Sequence, residues 1–285
     1  MEFGTTDVIS RMTRQFARFC VRMVVGMTGG RTVRVFAGPI KGRRVCREQG
    51  LSQLSMLFGI YEQHFAAAFL VRISSAKVVY DIGANAGYFS LLAAHQTHSN
   101  RLTLAFEPNP PVMQRLSTVV EANGLDSRIV RHQLAFSNFP GRGRMFTPAS
   151  DKSGVIESAL RGQKTSDEGL DVEMSTLDQF VFDDGNPAPH VIKLDVEGAE
   201  ALVLDGATRV LDEARPTILA EIHGEQPAGA VWDILVPRGY RVCLLAAGSE
   251  TEIADRTTWM RHFAGSKWII RHCVLTPGIS NSAAA

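Results

Sequence analysis

The sequence predicts an α/β fold with a seven-stranded, mostly parallel sheet and helices on both faces. From Lys77 onward, short apolar runs alternate with longer helical stretches, the pattern of a doubly wound sheet. A chain of 285 residues with 45% hydrophobic residues can bury one large core. The predicted strands are Val78–Ile82, Leu102–Phe106, Ile129–Leu134, Val191–Asp195, Thr217–Ile222, Arg241–Ala246 and Trp268–Leu275.

Helical periodicity and turn residues divide the chain into three predicted regions. Residues 1–76 form an N-terminal extension, 77–277 the main domain and 278–285 a disordered tail. The extension is predicted to hold a basic amphipathic helix, a hairpin interrupted by Gly38-Pro39, and a further helix. The stretch 139–173 is predicted to be loops around a short edge element, suited to covering a substrate. The predicted helices are Asp7–Met27, Glu62–Ile73, Phe89–His95, Pro110–Asn123, Glu197–Leu211 and Ala228–Val236.

Charge is distributed unevenly along the chain. The net charge is +1, yet residues 1–47 hold 10 Lys and Arg against 2 Asp and Glu, which leaves the remainder at about −7. An acidic main domain argues against nucleic acid as a partner. The basic helix Asp7–Met27 either packs on the domain or a dimer partner, or attaches peripherally to an anionic membrane surface.

The 4 cysteines lie far apart, without the spacing of a zinc site or a disulfide framework. The chain also lacks a run of about 20 apolar residues that could span a bilayer. The expected location is therefore the reducing cytoplasm, with peripheral membrane attachment left open.

A ligand loop is predicted at Asp81-Ile82-Gly83-Ala84-Asn85-Ala86-Gly87, between a buried strand and a helix. Ligands of open α/β sheets bind beyond the carboxyl ends of the strands, and glycines there let a backbone approach a ligand closely. Glu107, at the end of the next predicted strand, can accept hydrogen bonds from ribose hydroxyls. The pair Asp81 and Glu107 therefore predicts a nucleoside-containing ligand.

The acidic character of this loop separates two cofactor classes. A dinucleotide brings a pyrophosphate, which Asp81 repels and which favours a complete G-x-G-x-x-G loop. S-adenosyl-L-methionine has no phosphate and carries an ammonium and a sulfonium, which carboxylates attract. S-adenosyl-L-methionine is therefore the expected cofactor.

Five ordered motifs resemble the FkbM family of S-adenosylmethionine-dependent methyltransferases. They are Y-D-I-G-A-N-A-G-Y-F-S, A-F-E-P-N-P, S-T-L-D-Q-F, I-K-L-D-V-E-G-A-E with V-L-D-G-A, and A-E-I-H-G. The resemblance extends from about Gly38 to about Tyr240 and implies a Rossmann-like class I methyltransferase fold. It implies O-methylation of a hydroxyl on a sugar, glycolipid or secondary metabolite, with a small molecule or glycan as acceptor.

The same resemblance implies the cofactor-binding residues. They are Asp81, Gly83, Ala84, Asn85, Gly87, Tyr88, Phe89, Glu107, Pro108, Asn109, Tyr61, Glu62 and Asp195. Residues 134–138 read L-A-F-S-N where the family commonly has A-V-S-D, so no adenine contact is assigned there.

Catalytic groups are expected where two strands end. Alternation places Lys193 and Asp195 on one side of their strand and Glu221 and His223 on one side of the next. If the strands are neighbours, Asp195 and His223 converge. His223 is the expected general base because its ordinary pKa suits proton removal near neutrality, and Asp195 is expected to orient the base or the acceptor.

Several alternatives remain open at this stage. Asp195, Glu221 and His223 could instead hold a divalent cation, which is the less favoured arrangement. Lys193 could pair with an acid on the next strand, and Glu200 is expected to be solvated in a first helical turn. Other function classes are an NAD(P)-dependent oxidoreductase, a non-catalytic binding protein, and an RNA 2′-O-methyltransferase, the last disfavoured by the acidic domain.

Overall fold

A computed structural model of the chain describes residues 30–47, 51–95, 101–146, 155–156, 169–265 and 269–278. The predicted helix Asp7–Met27 and residues 279–285 of the predicted tail lie outside the described residues. No helix within the described ranges is both long and apolar enough to cross a bilayer.

Strands of the described residues form three sheets. In chain order they are β1 Thr32–Arg34, β2 Arg44–Cys46, β3 Val78–Ile82, β4 Leu102–Phe106, β5 Ile129–His132, β6 Ala135–Phe136, β7 Gly141–Phe146, β8 Val155–Ile156, β9 Leu170–Ser175, β10 Val191–Leu194, β11 Thr217–His223, β12 Tyr240–Ala246, β13 Ser249–Glu252 and β14 Ile270–Pro277. The order in the main sheet is β13-β12-β14-β11-β10-β3-β4-β5. Its strands from β11 to β5 are parallel, whereas β14 runs antiparallel to both β11 and β12.

All seven predicted strands are present, and the predicted α/β arrangement of a mostly parallel sheet with helices on both faces is confirmed. The predicted count is wrong by one, because β13 adds an eighth strand at the edge. A two-residue turn of Ala247 and Gly248, with φ of 50° and 82°, joins it to β12. Its residues S-E-T-E are all exposed, so it has no apolar pattern from which a strand could be predicted.

The region predicted as loops, residues 139–173, contributes to a second sheet. Its four strands are ordered β6-β9-β7-β8, and β7 pairs antiparallel with β9 along most of its length. The expectation of loops is therefore wrong for the described part. The buried side of this small sheet consists of Met145, Val172 and Met174, three residues that the many Gly, Ser and Asp residues around them obscure in the sequence.

Helices cover the main sheet on both faces. They are α1 Leu51–Leu57, α2 Gln63–Arg72, α3 Tyr88–His95, α4 Pro110–Ala122, α5 Glu200–Asp205, α6 Glu225–Leu235 and α7 Arg256–Arg261, with π-helical turns at Gln179–Asp183 and Val210–Ala214. α5 is shorter than predicted because Glu197 and Gly198 adopt positive φ of 54° and 101° and delay its start. α1 and α7 are not predicted from the sequence.

Alternation along β3 assigns the two faces of the sheet. Val79 belongs to the hydrophobic cluster beneath α2, α3 and α4, whereas Tyr80 and Ile82 belong to the cluster on the opposite face. The hairpin and α2 contribute Val33, Val45, Phe65 and Phe69 among others to the first cluster. The described part of the extension and the main domain therefore share one core, while the division at residue 76 stays a prediction.

Candidate active site

The loop between β3 and α3, residues 83–87, uses all five of its backbone N–H groups inside the protein. Gly83 and Ala84 both donate to the Phe106 carbonyl, at 3.0 and 2.9 Å, and Gly87 donates to the Ala84 carbonyl at 2.9 Å. The backbone of Asn85 donates to Glu107 Oε2 at 3.0 Å, and that of Ala86 donates to Asn85 Oδ1 at 2.7 Å. A loop that cradles a phosphate presents its N–H groups to the anion. In this conformation the loop has no backbone N–H group left to present to a phosphate.

The two loop glycines are required by the protein's own packing. A Cβ on Gly83 would lie 1.8 Å from the Asp195 carbonyl oxygen, and one on Gly87 would lie 2.4 Å from Leu116 Cδ1. Both residues also have positive φ, 75° and 89°, a conformation that favours glycine. Both glycines are therefore required by close approach to a neighbouring loop and to α4, and their close approach to a ligand stays a prediction.

Glu107 stands at the carboxyl end of β4, beside an apolar pocket. Its side chain is buried, and its two oxygens accept hydrogen bonds from the backbone of Asn85 and Asn109, each at 3.0 Å. Burial raises the pKa of Glu107. The pocket walls are Phe106, Pro108, Val112, Leu134, Ala135, Phe136 and Met145, with Asn85, Asp195 and Glu197 at its polar side. The arrangement suits a flat apolar ring joined to a hydroxylated sugar.

Asp81 lies beneath the loop and not at its surface. Its side chain is 1% exposed, Ser90 Oγ donates a 2.5 Å hydrogen bond to its Oδ2, and Lys193 Nζ lies 3.7 Å from its Oδ1. The sequence predicts that Asp81 meets the cofactor directly; in the structure this carboxylate is instead enclosed by α3 and β10. It acts on the crevice through Lys193.

Lys193 is a buried cation between several acids. Its Nζ donates to the Gly83 carbonyl at 2.9 Å and to Asp195 Oδ2 at 3.1 Å, and the ammonium lies 5.5 Å from the centre of the Phe89 ring. Burial alone lowers the pKa of Lys193, but the charges of Asp195 and Asp81 outweigh it and raise the pKa above its ordinary value. Lys193 is therefore a fixed positive charge that holds the ends of β3 and β10 together.

A cavity of about 250 Å³ lies on the other side of the loop, under the extension. Tyr61, Glu62, Tyr88 and Phe89 line it together with the loop and Asp195. Two buried atoms in its wall, Glu62 Oε2 and the Tyr88 hydroxyl, have no hydrogen-bond partner among the described residues. Burial and the nearby Glu221 raise the pKa of Glu62 to about 7. Both atoms are available to a polar ligand group.

His223 is surrounded by three carboxylates. Its Nδ1 lies 2.9 Å from Glu200 Oε1, and its Nε2 lies 3.5 Å from Glu197 Oε2 and 3.9 Å from Asp195 Oδ1. The predicted convergence of Asp195 and His223 is therefore present. Burial alone lowers the pKa of His223, but the hydrogen bond to Glu200 and the surrounding acids raise it to about 10. The premise of an ordinary pKa is wrong for this protein without ligand, since His223 is an imidazolium at neutral pH.

The predicted metal trio is divided between two groups of residues. Asp195 and His223 lie together with Glu197, whereas Glu221 lies with Glu62 and His272. Glu221 Oε1 is 3.1 Å from His272 Nε2. Burial alone lowers the pKa of His272, but the hydrogen bond with Glu221 and the charges of Glu221 and Glu62 outweigh it and raise the pKa. Protonated imidazoles do not ligate metals. A metal ion at either group would have to displace the proton from an imidazole that carries one, and the less favoured metal arrangement stays a prediction.

The family model for the methyltransferase FkbM domain matches residues 81–242, more than half of the chain. The chain belongs to the FkbM methyltransferase family. A 31-O-demethyl-FK506 methyltransferase, FkbM, from Streptomyces tacrolimicus is 30% identical over 222 residues, which cover 66% of this chain and 84% of that protein.

Two further matches are less extensive. A hexuronic acid methyltransferase, AglP, from Haloferax volcanii is 28% identical over 162 residues, which cover 57% of this chain and 62% of that protein. The chain thus spans less than two thirds of that relative's length. The crystal structure of a methyltransferase FkbM from Methylobacillus flagellatus shares 18% identity, covers 70% of this chain and 43% of that chain, and superposes with a TM-score of 0.44.

This FkbM-family crevice gathers most of the residues selected from the sequence and two that sequence reasoning missed. Asp195 and Asn85 line both cavities, Glu107 lines the apolar pocket, and Tyr61 and Glu62 line the cavity under the extension. The missed residues are Glu200 and His272. Glu200, expected in solvent, is 0% exposed and bonds to His223. His272 is in the predicted last strand, but only the register Glu221↔His272 shows that it faces an acid.

Proposed function

We propose that this protein is an S-adenosyl-L-methionine-dependent O-methyltransferase that acts on a hydroxyl of a sugar, glycolipid or secondary metabolite. Family membership supports methyl transfer. The activities for which two relatives are named, on a hexuronic acid and on 31-O-demethyl-FK506, support a hydroxylated acceptor. The observation that carries the cofactor assignment is the loop 83–87, whose five N–H groups are already engaged while carboxylates surround the crevice.

The residues present fit this cofactor. Glu107 can accept ribose hydroxyls beside an apolar pocket that suits adenine. On the other side of the loop, Glu62 Oε2 and the Tyr88 hydroxyl are unpartnered within the described chain and can engage the ammonium and carboxylate of a methionine moiety. Asp195 lines both cavities and so stands where a sulfonium would be attracted. The cofactor, when bound, supplies an electrophilic methyl group.

The chain's own residues position the acceptor and take its proton. Asp195 is 25% exposed at the side chain and can accept a hydrogen bond from an acceptor hydroxyl at the edge shared with His223. His223 Nε2 faces the same edge and accepts a proton only after losing the one it carries at neutral pH. Turnover that depends on His223 as base therefore rises with pH toward about 10.

Calorimetry separates this proposal from the dinucleotide alternative. We expect S-adenosylhomocysteine to bind the full chain and NADH not to bind. Glu107→Ala removes the ribose acceptor and should weaken S-adenosylhomocysteine binding by about 10- to 100-fold, the equivalent of about 1.4 to 3 kcal/mol. Glu121→Ala, an exposed acid on α4, is the matched control and should bind as the unaltered protein does. Binding of NADH, or of neither compound, refutes the cofactor assignment.

The acceptor class has its own test. We expect transfer of labelled methyl groups from S-adenosyl-L-methionine to a hydroxylated compound in an extract of the source organism, identified by mass spectrometry as a methyl ether. Label found only on nitrogen or carbon of the product contradicts O-methylation while leaving the cofactor assignment intact.

A further inference from the structure

Glu200 is a fully buried acid, and carboxylates are rarely buried unless they are paired. Its side chain is 0% exposed, although it is the first residue of α5 and could have pointed to solvent. Burying a carboxylate costs several kcal/mol unless partners compensate. The partners that Glu200 has are therefore the guide to what it does.

Two contacts converge on a single oxygen of Glu200. Oε1 accepts a hydrogen bond from the Gly198 backbone at 2.8 Å and lies 2.9 Å from His223 Nδ1. Gly198 belongs to the loop that follows β10, in which Glu197 and Gly198 both have positive φ. Glu200 thus joins this loop to the end of β11 and to the imidazole ring.

The contact with Nδ1 determines which nitrogen faces the crevice. With Nδ1 directed at Glu200, Nε2 is left near Glu197 Oε2 and Asp195 Oδ1, at 3.5 and 3.9 Å. Asp195 lines both cavities. A carboxylate acceptor at Nδ1 keeps a proton on that nitrogen, so the neutral ring exposes the lone pair of Nε2.

We propose that Glu200 is the positioning residue of His223: it holds the Nδ1 proton and directs Nε2 toward Asp195 as the atom that receives the acceptor's proton. The part about Nε2 rests on the proposed methyl transfer, whereas the hydrogen bond and the choice of tautomer do not. Glu200 itself touches neither cofactor nor acceptor.

Among the described residues, the acidic groups that face His223 come from three elements. Glu200 approaches from α5, Asp195 and Glu197 approach from the loop after β10, and Glu221 lies two residues earlier on β11. The neighbouring strand β14 places the apolar Ile270 opposite His223. The contact between Glu200 and His223 is the shortest of these, so the charge of Glu200 should raise the pKa of the ring more than that of any other acid named here.

The test is an NMR titration of the full chain without ligand, with histidine nitrogens labelled and His223 assigned through His223→Gln. Glu200→Gln keeps an oxygen near Nδ1 but removes the charge, and it should lower the pKa of His223 by about 1 to 3. Glu213→Gln, an exposed acid at 56% side-chain exposure, is the control and should leave that pKa unchanged. A pKa in folded Glu200→Gln within about 0.3 of that of the unaltered protein would falsify the proposal.

A second measurement needs no variant and so does not depend on the folding of Glu200→Gln. Above its titration, the nitrogen shifts of His223 in the unaltered protein should report a proton on Nδ1. A proton on Nε2 overturns the proposal.

Kinetics then separate this proposal from the proposed function. In Glu200→Gln, the acidic limb of the kcat/KM profile should move to lower pH in step with the pKa of His223, while the affinity for S-adenosylhomocysteine changes less than about 3-fold. A purely structural Glu200 would lower stability without moving that limb, which refutes positioning. Absence of S-adenosylhomocysteine binding in the unaltered protein refutes the proposed function but leaves the NMR result to decide the role of Glu200.

Discussion

Strand β11 contributes to two carboxylate–histidine pairs, and their surroundings differ. Glu221 pairs with His272 of β14, whose ring is stacked on Phe65 at 4.7 Å, and Lys193 adds a second cation. Burial alone raises the pKa of Glu221, but the hydrogen bond from His272 outweighs it and lowers the pKa. His223, two residues along the strand, instead meets three acids. Among the described residues, the first pair thus has cations beside its carboxylate, whereas the second has an imidazole beside three carboxylates.

The largest expected effect concerns Lys193, the buried cation that lies between the two pairs and bonds to Asp195. Lys193→Met leaves Asp81 and Asp195 without their buried cation and should lower the free energy of unfolding by about 3–5 kcal/mol, measured by urea denaturation at pH 7. Lys77→Met, at an exposed lysine, is the control and should change it by less than about 0.5 kcal/mol. A loss below about 1 kcal/mol for Lys193→Met would show that the acids are compensated by something else.

The next effect concerns activity and compares the two imidazoles directly. His223→Gln should slow methyl transfer to the extract acceptor about 100-fold or more, the usual contribution of a proton-accepting group, with little change in S-adenosylhomocysteine affinity. His272→Gln should slow it less than about 10-fold, because its ring faces Glu221 and Phe65. Equal losses in the two variants would mean that the pairs have the same role.

The smallest effect is a pH dependence of stability. The pKa of His223 is about 10 in the folded protein against 6.5 in the unfolded chain, so its stabilising contribution is complete below pH 6.5 and is lost as the pH rises to 10. The free energy of unfolding should therefore fall by about 2.5 kcal/mol between pH 7 and 9. His223→Gln should lose most of this slope and His272→Gln a smaller part. An unchanged slope in His223→Gln contradicts the raised pKa.

Most of the parallel sheet could be predicted because its strands are buried on both faces and appear as apolar runs between turns. β13 and the second sheet could not. All four residues of β13 are exposed, and β7 and β9 each mix polar and small residues with only a few buried ones. The start of α5 depends on two positive φ angles, which residue type alone does not specify for Glu197.

The site divides in the same way. The approach of Asp195 to His223 follows from strand order, because the ends of adjacent parallel strands meet at one edge. The partners of Glu200 and His272 depend on where a helix begins and on an antiparallel register. The pKa of His223 depends on the start of α5 and on strand order, since it reflects Glu200, Asp195 and Glu197, which only the folded chain brings together. Residue type therefore identifies His223 as the candidate base, but it does not predict the protonation state of its ring.

The contact between Gly83 and Asp195 affects how the crevice can move. The Gly83 backbone packs directly against the Asp195 carbonyl, and the Asp195 N–H donates to the Ile82 carbonyl at 3.1 Å. These contacts join the loops that follow β3 and β10. Neither loop can swing outward alone without breaking these contacts. We therefore expect the two strand ends to keep their separation when a ligand enters or leaves the crevice.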